Sequence, residues 1–228
     1  GYYMAPDSLK EWATLEGLIF KYSKIEALYP RGLLFSGQPG TGKTMGAKYI
    51  ANELDIPLYR IDVSGMLNKY VGESEKNLAT ALSTIDSLGD CVLLVDEVEK
   101  LFGSNDSDSG IQTRMLSTLL WWLQEHTSKV ITIMTCNDDE AIPKELVRPG
   151  RIDREIKFNP FTSWPKFLSF VEGYTESVSQ TYDLKFKWSG YGDQIKEFWK
   201  NRAESVTPAV ATEFVNDRLR KHCNQEGL

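Results

Sequence analysis

The chain has 228 residues, enough for one large domain or for one domain with a modest appendage, and 41% of them are hydrophobic, which suffices for a core. A net charge of −6 disfavours general nucleic-acid binding, and three widely spaced cysteines fit neither a disulfide framework nor a metal cluster. No apolar run approaches the roughly 18 residues that span a bilayer, so we expect a soluble protein of a reducing, cytoplasm-like compartment without membrane contact.

Short apolar runs alternate with longer helical patterns over the first 160 residues. Turn or cap residues bound each apolar run, and helical spacing follows it. This alternation predicts an α/β fold in which a five-stranded parallel sheet lies between helices. The predicted strands cover residues 32–36, 58–62, 91–95, 130–135 and 155–158.

Helical patterns lie on both sides of the predicted sheet region. Before it, Asp7 or Ser8 can cap a helix that should pack on the sheet domain. Its apolar residues at helical spacing are Leu9, Trp12, Leu15, Leu18 and Ile19. After residue 160, helical patterns begin at Ser163, near Asp193 and at Thr207. We therefore predict a large α/β domain over residues 1–160 and a small helical domain over residues 161–228.

A glycine-rich segment follows the first predicted strand and opens a helical pattern. It consists of Gly37, Gln38, Pro39, Gly40, Thr41, Gly42, Lys43 and Thr44, with Met45 next in the helix. Its glycines let backbone N–H groups point at phosphate oxygens, and the helix N-terminus adds partial positive charge. We predict a P-loop in which Lys43 contacts the β- and γ-phosphates of ATP and Thr44 binds Mg²⁺. A glycine turn with an incidental lysine is the alternative.

Polar residues close two other apolar strands. Asp96 and Glu97 follow an all-apolar run, so we expect Asp96 to hold Mg²⁺ and Glu97 to orient the attacking water. Asn137 closes a further strand, and the carboxyl ends of parallel strands line one crevice. Asn137 is therefore expected to face the γ-phosphate or the attacking water, with a turn-forming asparagine as the alternative.

The stretch from Asn137 to Arg154 resembles the second region of homology of the AAA-clade ATPases, which belong to the AAA+ superfamily. The resemblance runs from about Leu9 to Phe161, and it is nearest to the stand-alone AAA proteins of plastid and cyanobacterial type. It implies that Asn137 is the sensor asparagine and that Arg148 and Arg151 are arginine fingers for a neighbouring subunit. Such fingers imply a homo-oligomeric ring, expected to be a hexamer. Salt bridges within one subunit are the alternative role for these arginines.

The segment that contains Tyr70, Val71 and Gly72 resembles the first pore loop of the same family. In a ring, the resemblance implies that Tyr70 grips an extended polypeptide through apolar contact. The Ser- and Asp-rich stretch 103–110 falls where a second pore loop would lie, with a surface loop as the alternative.

Two features depart from the family pattern. Many AAA-clade members carry Asp-Gly-Phe where this chain has Gln124, Glu125 and His126, so communication between subunits is expected to be organised differently. The expected sensor-2 helix begins at Thr207 without an arginine. The leading hypothesis is a Mg-ATP-dependent ring that remodels or unfolds protein clients. The alternatives are a nucleic-acid motor or loader, for which the charge is unfavourable, and a nucleotide-gated assembly scaffold.

Overall fold

The computed structural model describes residues 2–67, 73–102, 109–138, 140, 142–144, 146–148, 150–188, 191–202 and 206–226. The strands are β1 (Gly32–Ser36), β2 (Leu58–Asp62), β3 (Cys91–Asp96), β4 (Val130–Cys136) and β5 (Arg154–Lys157). The helices are α1 (Asp7–Tyr22), α2 (Lys43–Leu54), α3 (Val63–Leu67), α4 (Glu73–Ser87), α5 (Ser109–Glu125), α6 (Trp164–Tyr182), α7 (Gly192–Arg202) and α8 (Pro208–Glu226). Short 3-10 helices cover Glu26–Leu28 and Val98–Leu101. Each predicted strand is confirmed to within one residue.

Among the described residues, the strands form one parallel sheet in the order β2-β3-β4-β1-β5. β1, β3 and β4 are buried along almost their whole length, which explains their continuous apolar sequences. Ser36 pairs with Cys136, so the carboxyl ends of β1 and β4 lie side by side. The α/β P-loop fold with a five-stranded parallel sheet is therefore confirmed, and the strand ends that carry the predicted site share one edge.

The chain forms two compact units. The sheet unit contains Ala5–Gly37 and Lys43–Phe158, and the helical unit contains Gly1–Met4, Gln38–Gly42 and Asn159–Leu228. The chain thus enters the helical unit briefly within the glycine-rich segment. None of the described helices combines the length and the apolar character that crossing a lipid bilayer requires.

The buried face of α1 is narrower than the spacing of its apolar residues predicts. Its buried residues are Leu9, Trp12, Ala13, Gly17 and Phe20. A Cβ on Gly17 would lie 3.3 Å from Leu54 Cδ2, so the small residue admits α2 closely. Leu15, Leu18 and Ile19 follow helical spacing but are exposed, because they lie outside the buried stripe of the helix. The capping prediction was also wrong: Pro6 occupies the cap position, and Asp7 begins the first turn.

The helical unit has its own core, which is rich in aromatic rings. Phe167 is fully buried and stacks on Trp199 with ring centroids 4.9 Å apart, while Phe198 and Phe214 stack at 4.2 Å. The predicted helix starts are confirmed here, since Ser163 occupies the N-cap position of α6 and Pro208 opens α8 directly after Thr207.

Candidate functional site

The glycine-rich segment leaves β1 through a turn that only glycine fits. Gly37 has φ of 140°, and its N–H donates to the carbonyl of Cys136 at 3.3 Å. A Cβ at this position would lie 2.0 Å from the carbonyl oxygen of Phe158. The close approach of three backbone segments therefore requires the glycine and fixes the direction in which the chain leaves the sheet.

The next part of the segment belongs to the helical unit. Thr41 Oγ1 donates to the carbonyl of Gln38 at 2.7 Å, and the carbonyl of Gly40 accepts the N–H of Ala209 at 3.1 Å. Gly40 and Gly42 have φ of 79° and 98°, in the left-handed region that favours glycine. Gln38, Pro39 and Gly40 are exposed, whereas Thr41 is buried. The loop carbonyl at Gly40 is thereby held by the first turn of α8.

Lys43 opens α2 and is almost fully buried at the carboxyl edge of the sheet. Its Nζ donates to the carbonyl of Gly37 and, at 2.9 Å, to Asn137 Oδ1. Burial lowers the pKa of Lys43, and Cys136 and nearby carboxylates, Glu99 foremost, oppose that shift. Thr44 follows half-buried and Met45 is exposed. The structure thus brings the predicted lysine and sensor asparagine into direct contact.

Asp96 and Glu97 are organised by a threonine that the sequence interpretation missed. Thr135 Oγ1 donates to Asp96 Oδ1 at 2.5 Å and accepts the backbone N–H of Glu97 at 3.0 Å. Asp96 Oδ2 forms an ion pair with Arg60 on β2 at 3.0 Å. The sequence signal for Thr135 was a hydroxyl near the end of a mostly apolar strand, and this strand neighbours β3.

The Glu97 carboxylate is held by polar neighbours on the sheet unit. Glu97 has left-handed backbone geometry, with φ of 56°, and its Oε2 accepts from Lys100 Nζ and, at 3.2 Å, from Ser64 Oγ. The hydrogen bond from Lys100 lowers the pKa of Glu97 below its usual range, so this carboxylate stays ionised to lower pH. Lys100 falls one helical turn after Glu97, which the sequence could have indicated.

Asn137 contacts a second residue that was missed. Glu99 Oε1 accepts both the backbone N–H of Asn137, at 3.0 Å, and its side-chain Nδ2, at 2.9 Å. Because Nδ2 donates to Glu99, the Oδ1 atom of Asn137 is free to accept from Lys43. Glu99 Oε2 is buried and has no hydrogen-bond partner among the described residues. Glu99 therefore fixes the orientation of the predicted sensor.

The two predicted arginine fingers line a separate open pocket of about 270 Å³ on the sheet unit. Arg31, Gln124 and Gly150 complete the described lining. Arg151 Nη2 donates to Gln124 Oε1 at 2.9 Å, and the Arg151 N–H donates to the carbonyl of Arg148 at 3.0 Å. Among the described residues, none of the predicted phosphate-binding residues lines this pocket. The structure therefore brings the two arginines together, away from Lys43, Asp96 and Glu97.

The predicted pore-loop residues Tyr70, Val71 and Gly72 lie outside the described residues, as do residues 103–108. Their predicted roles remain predictions.

Comparisons with known proteins identify the family of the chain. The model of the ATPase family associated with various cellular activities (AAA) matches residues 33–160, which include the glycine-rich segment, the strand-end acids and both arginines.

The chain is similar to the AAA domain-containing protein ycf46 of Guillardia theta, with 38% identity over 227 residues, 93% of this chain and 43% of the relative. It is 40% identical to ycf46 of Trieres chinensis over 156 residues, 67% of this chain and 31% of the relative. It is 35% identical to the ATP-dependent zinc metalloprotease FtsH 1 of Phytoplasma mali over 145 residues, 61% of this chain and 24% of the relative. The chain thus spans less than half the length of these relatives. Because the family model covers more than half of the chain, the protein belongs to the AAA family of ATPases.

Proposed function

We propose that this chain hydrolyses Mg-ATP in a site completed by a second copy, and that it works as a ring that remodels polypeptides. The observation that carries the proposal is the separation of two charged groups on one sheet unit. Lys43, Asn137 and Glu99 are hydrogen-bonded together, whereas Arg148 and Arg151 line another pocket. Guanidinium groups placed away from the lysine of their own chain support a role on the nucleotide of a neighbour.

The residues at the sheet edge have the chemistry that phosphoryl transfer needs. Phosphate oxygens compete well for the Lys43 ammonium, which rests on the Gly37 carbonyl and on Asn137. Once the Lys43 ammonium moves to phosphate, Asn137 Oδ1 no longer accepts a hydrogen bond from it. The Asn137 side chain can then accept a hydrogen bond from the attacking water or rearrange when the γ-phosphate binds. Glu97 is ionised at neutral pH, so it can accept a hydrogen bond from that water.

The donor set fits the implied magnesium ion. Thr44 and Asp96 supply a hydroxyl and a carboxylate, the oxygen donors that Mg²⁺ takes alongside water and phosphate. When bound, the ion neutralises charge on the phosphates. Thr135 and Arg60 hold the Asp96 carboxylate at the sheet edge, so this chain orients the ligand before the ion arrives.

A polypeptide client is supported by the relatives and by the charge. One relative is an ATP-dependent metalloprotease by name, and the net charge of −6 is unfavourable for nucleic acid. In the proposed ring, assumed to be a hexamer, Tyr70, Val71 and Gly72 would contact the client.

A mixing experiment tests the completed site. A Lys43→Ala variant lacks the phosphate contact but keeps both arginines, and an Arg148→Ala/Arg151→Ala variant has the reverse defect. Each variant alone is expected to hydrolyse ATP at under about 1% of the parent rate, and the mixture is expected to regain activity. The rate per subunit of the parent should also rise with protein concentration, in step with the mass measured by light scattering.

The mixing experiment has a matched control and a clear contrary result. The control mixes Lys43→Ala with Glu97→Gln, a variant that keeps the phosphate-binding lysine but lacks the carboxylate proposed to orient water. This mixture should regain no activity, because neither variant has a working site of its own. Full activity of a dilute monomer that carries neither arginine would overturn the proposal.

A second experiment tests the client. Unfolded casein is expected to stimulate ATP hydrolysis, whereas single-stranded DNA at the same mass concentration is not. A Tyr70→Ala variant should keep basal hydrolysis but lose the stimulation. Stimulation by DNA alone, with a steep salt dependence, would instead identify a nucleic-acid motor.

A further inference from the structure

The carboxyl end of α5 places a glutamine against one of the proposed arginine fingers. Gln124 Oε1 accepts from Arg151 Nη2 at 2.9 Å, and Gln124 Nε2 donates to Glu125 Oε1 at 3.2 Å. The two contacts use the acceptor and the donor of the amide in complementary fashion, so Glu125 helps to turn the carbonyl oxygen toward the guanidinium. A neutral acceptor can hold an arginine without neutralising its charge.

The segment that carries Gln124 is rigidly anchored. Trp122 stacks on His126, with ring centroids 4.2 Å apart and an angle of 10° between the planes. Trp122 Nε1 donates to Asp86 Oδ2 at 2.9 Å, and Ser128 Oγ donates to Asp86 Oδ1 at 2.6 Å. The end of α5 is thereby tied to α4 on one side while the Gln124 amide lies on the exposed side.

A second arginine links this anchor to the same pocket. Arg31 donates through Nη1 to the carbonyl of His126, just after the last turn of α5, and Arg31 also lines the pocket with Gln124 and Arg151. The Arg31 guanidinium is thus fixed at the helix end, where cations are favourable. The pocket therefore has one arginine held by backbone and another held by a side chain.

We propose that Gln124 is a positioning residue that preorganises the Arg151 guanidinium for the triphosphate bound by a second copy of this chain. This inference rests on the proposed function. A guanidinium that is already held in place loses less side-chain freedom when it reaches the phosphate of the neighbouring copy. Gln124 should therefore increase the rate of hydrolysis without changing the affinity of its own subunit for ATP.

The proposal predicts a split between kcat and KM. Gln124→Ala should lower kcat of the assembled protein about fivefold, the size expected when one exposed hydrogen bond to a charged group is lost. The KM for ATP should stay unchanged, because the cradle of the same chain is untouched. Gln124→Glu, which keeps an acceptor oxygen toward Arg151 but pairs the guanidinium with a negative charge, should not restore the parent kcat. Gln180→Ala, a similar change on α6 where the amide contacts Glu176, is the matched control.

A double-variant cycle decides between positioning and a merely structural role. In an Arg151→Ala background, Gln124→Ala should have no further effect on kcat, because the group that it positions is gone. An equal loss in both backgrounds would overturn the proposal for Gln124 while leaving the proposed function intact. If Arg151→Ala alone left kcat unchanged, the proposed function would fail first. Light scattering and thermal unfolding of each variant should show that assembly and folding are preserved.

Discussion

The proposed phosphate-binding region around Gly37 and Lys43 and the region of the proposed arginine fingers, Arg148 and Arg151, are built in opposite ways. Gly37 and Lys43 are fixed by backbone contacts in a crowded edge of the sheet, where a Cβ on Gly37 would meet a carbonyl oxygen at 2.0 Å. Among the described residues, no atom lies within 4 Å of a Cβ placed on Gly150, beside Arg151, although the φ of 86° at Gly150 also lies in the left-handed region. Backbone of the same chain crowds the first region at Gly37, whereas the second region has open space beside Gly150.

This contrast fits a division of labour between copies. Groups that bind a ligand in their own chain gain from a fixed backbone, since no freedom needs to be lost on binding. Groups that act on a neighbour must stay accessible until that neighbour arrives, so a solvent-facing side-chain contact such as Arg151 with Gln124 suits them better. Substitutions in the two regions should therefore change different properties of the protein.

The largest expected effect separates turnover from binding. Arg151→Ala should lower hydrolysis at saturating ATP by about 10³-fold, while the affinity for ATP, measured by calorimetry, changes little. Lys43→Ala should weaken that affinity by about 30-fold or more, because a buried charged contact to phosphate is lost. If the two variants showed the same loss of affinity, the regions would not be separate.

Next in size is a pair of glycine substitutions. Gly37→Ala should lower the free energy of unfolding by about 3 kcal/mol, because the methyl group meets a backbone oxygen in an already left-handed residue. Gly150→Ala has the backbone penalty alone and should lower it by about 1 kcal/mol. Urea unfolding of both variants measures the difference, and equal losses would mean that crowding does not distinguish the regions.

A smaller effect concerns the pH dependence of hydrolysis. The Lys100 ammonium lowers the pKa of Glu97, so Lys100→Met should raise that pKa. The acid limb of the pH–kcat profile should then move to higher pH, and the shift should be small because both side chains of the pair are solvent-exposed. Lys48→Met on α2 removes an exposed ammonium elsewhere and should leave the limb in place. A shift toward lower pH would contradict this role of Lys100.

The smallest effect concerns stability near the arginine region. Burial lowers the pKa of His126 below its ordinary value near 6.5, so the folded chain resists protonation of this ring. As pH falls below about 6.5, the unfolded chain takes up the proton first and the free energy of unfolding decreases, by at most about 1.4 kcal/mol per pH unit. His126→Phe, which keeps a ring on Trp122, should reduce this slope. An unchanged slope would show that other groups cause it.

Local patterns in the sequence predicted the fold and indicated part of the candidate site. Strand boundaries followed from apolar runs, and the P-loop followed from glycines between a strand and a helix, because these features depend on neighbours in sequence. Glu99 and Thr135 were missed since their importance depends on side chains that meet across strands. The Gln124 to Arg151 contact joins residues 27 positions apart, so no local pattern indicates it.

The helix α1 is a second case in which the sequence pattern predicted the element but not all of its contacts. Helical spacing correctly predicted that α1 forms, but Leu15 and Leu18 are exposed at 55% and 47%. Periodicity identifies a stripe of apolar residues, whereas the packing of Gly17 against Leu54 decides which part of the helix surface is covered.

The hydrogen bond from the Ala209 N–H to the Gly40 carbonyl provides a way to measure how often the glycine-rich loop opens. A backbone amide exchanges its hydrogen with deuterated water only when its bond opens, so the exchange rate of this one amide measures how often the loop and the first turn of α8 part. If a bound nucleotide stiffens the loop, mass spectrometry would detect slower deuterium uptake in the peptide that contains Ala209. Deuterium uptake at the start of α8 would then depend on whether nucleotide is bound at a loop more than 160 residues earlier in the chain.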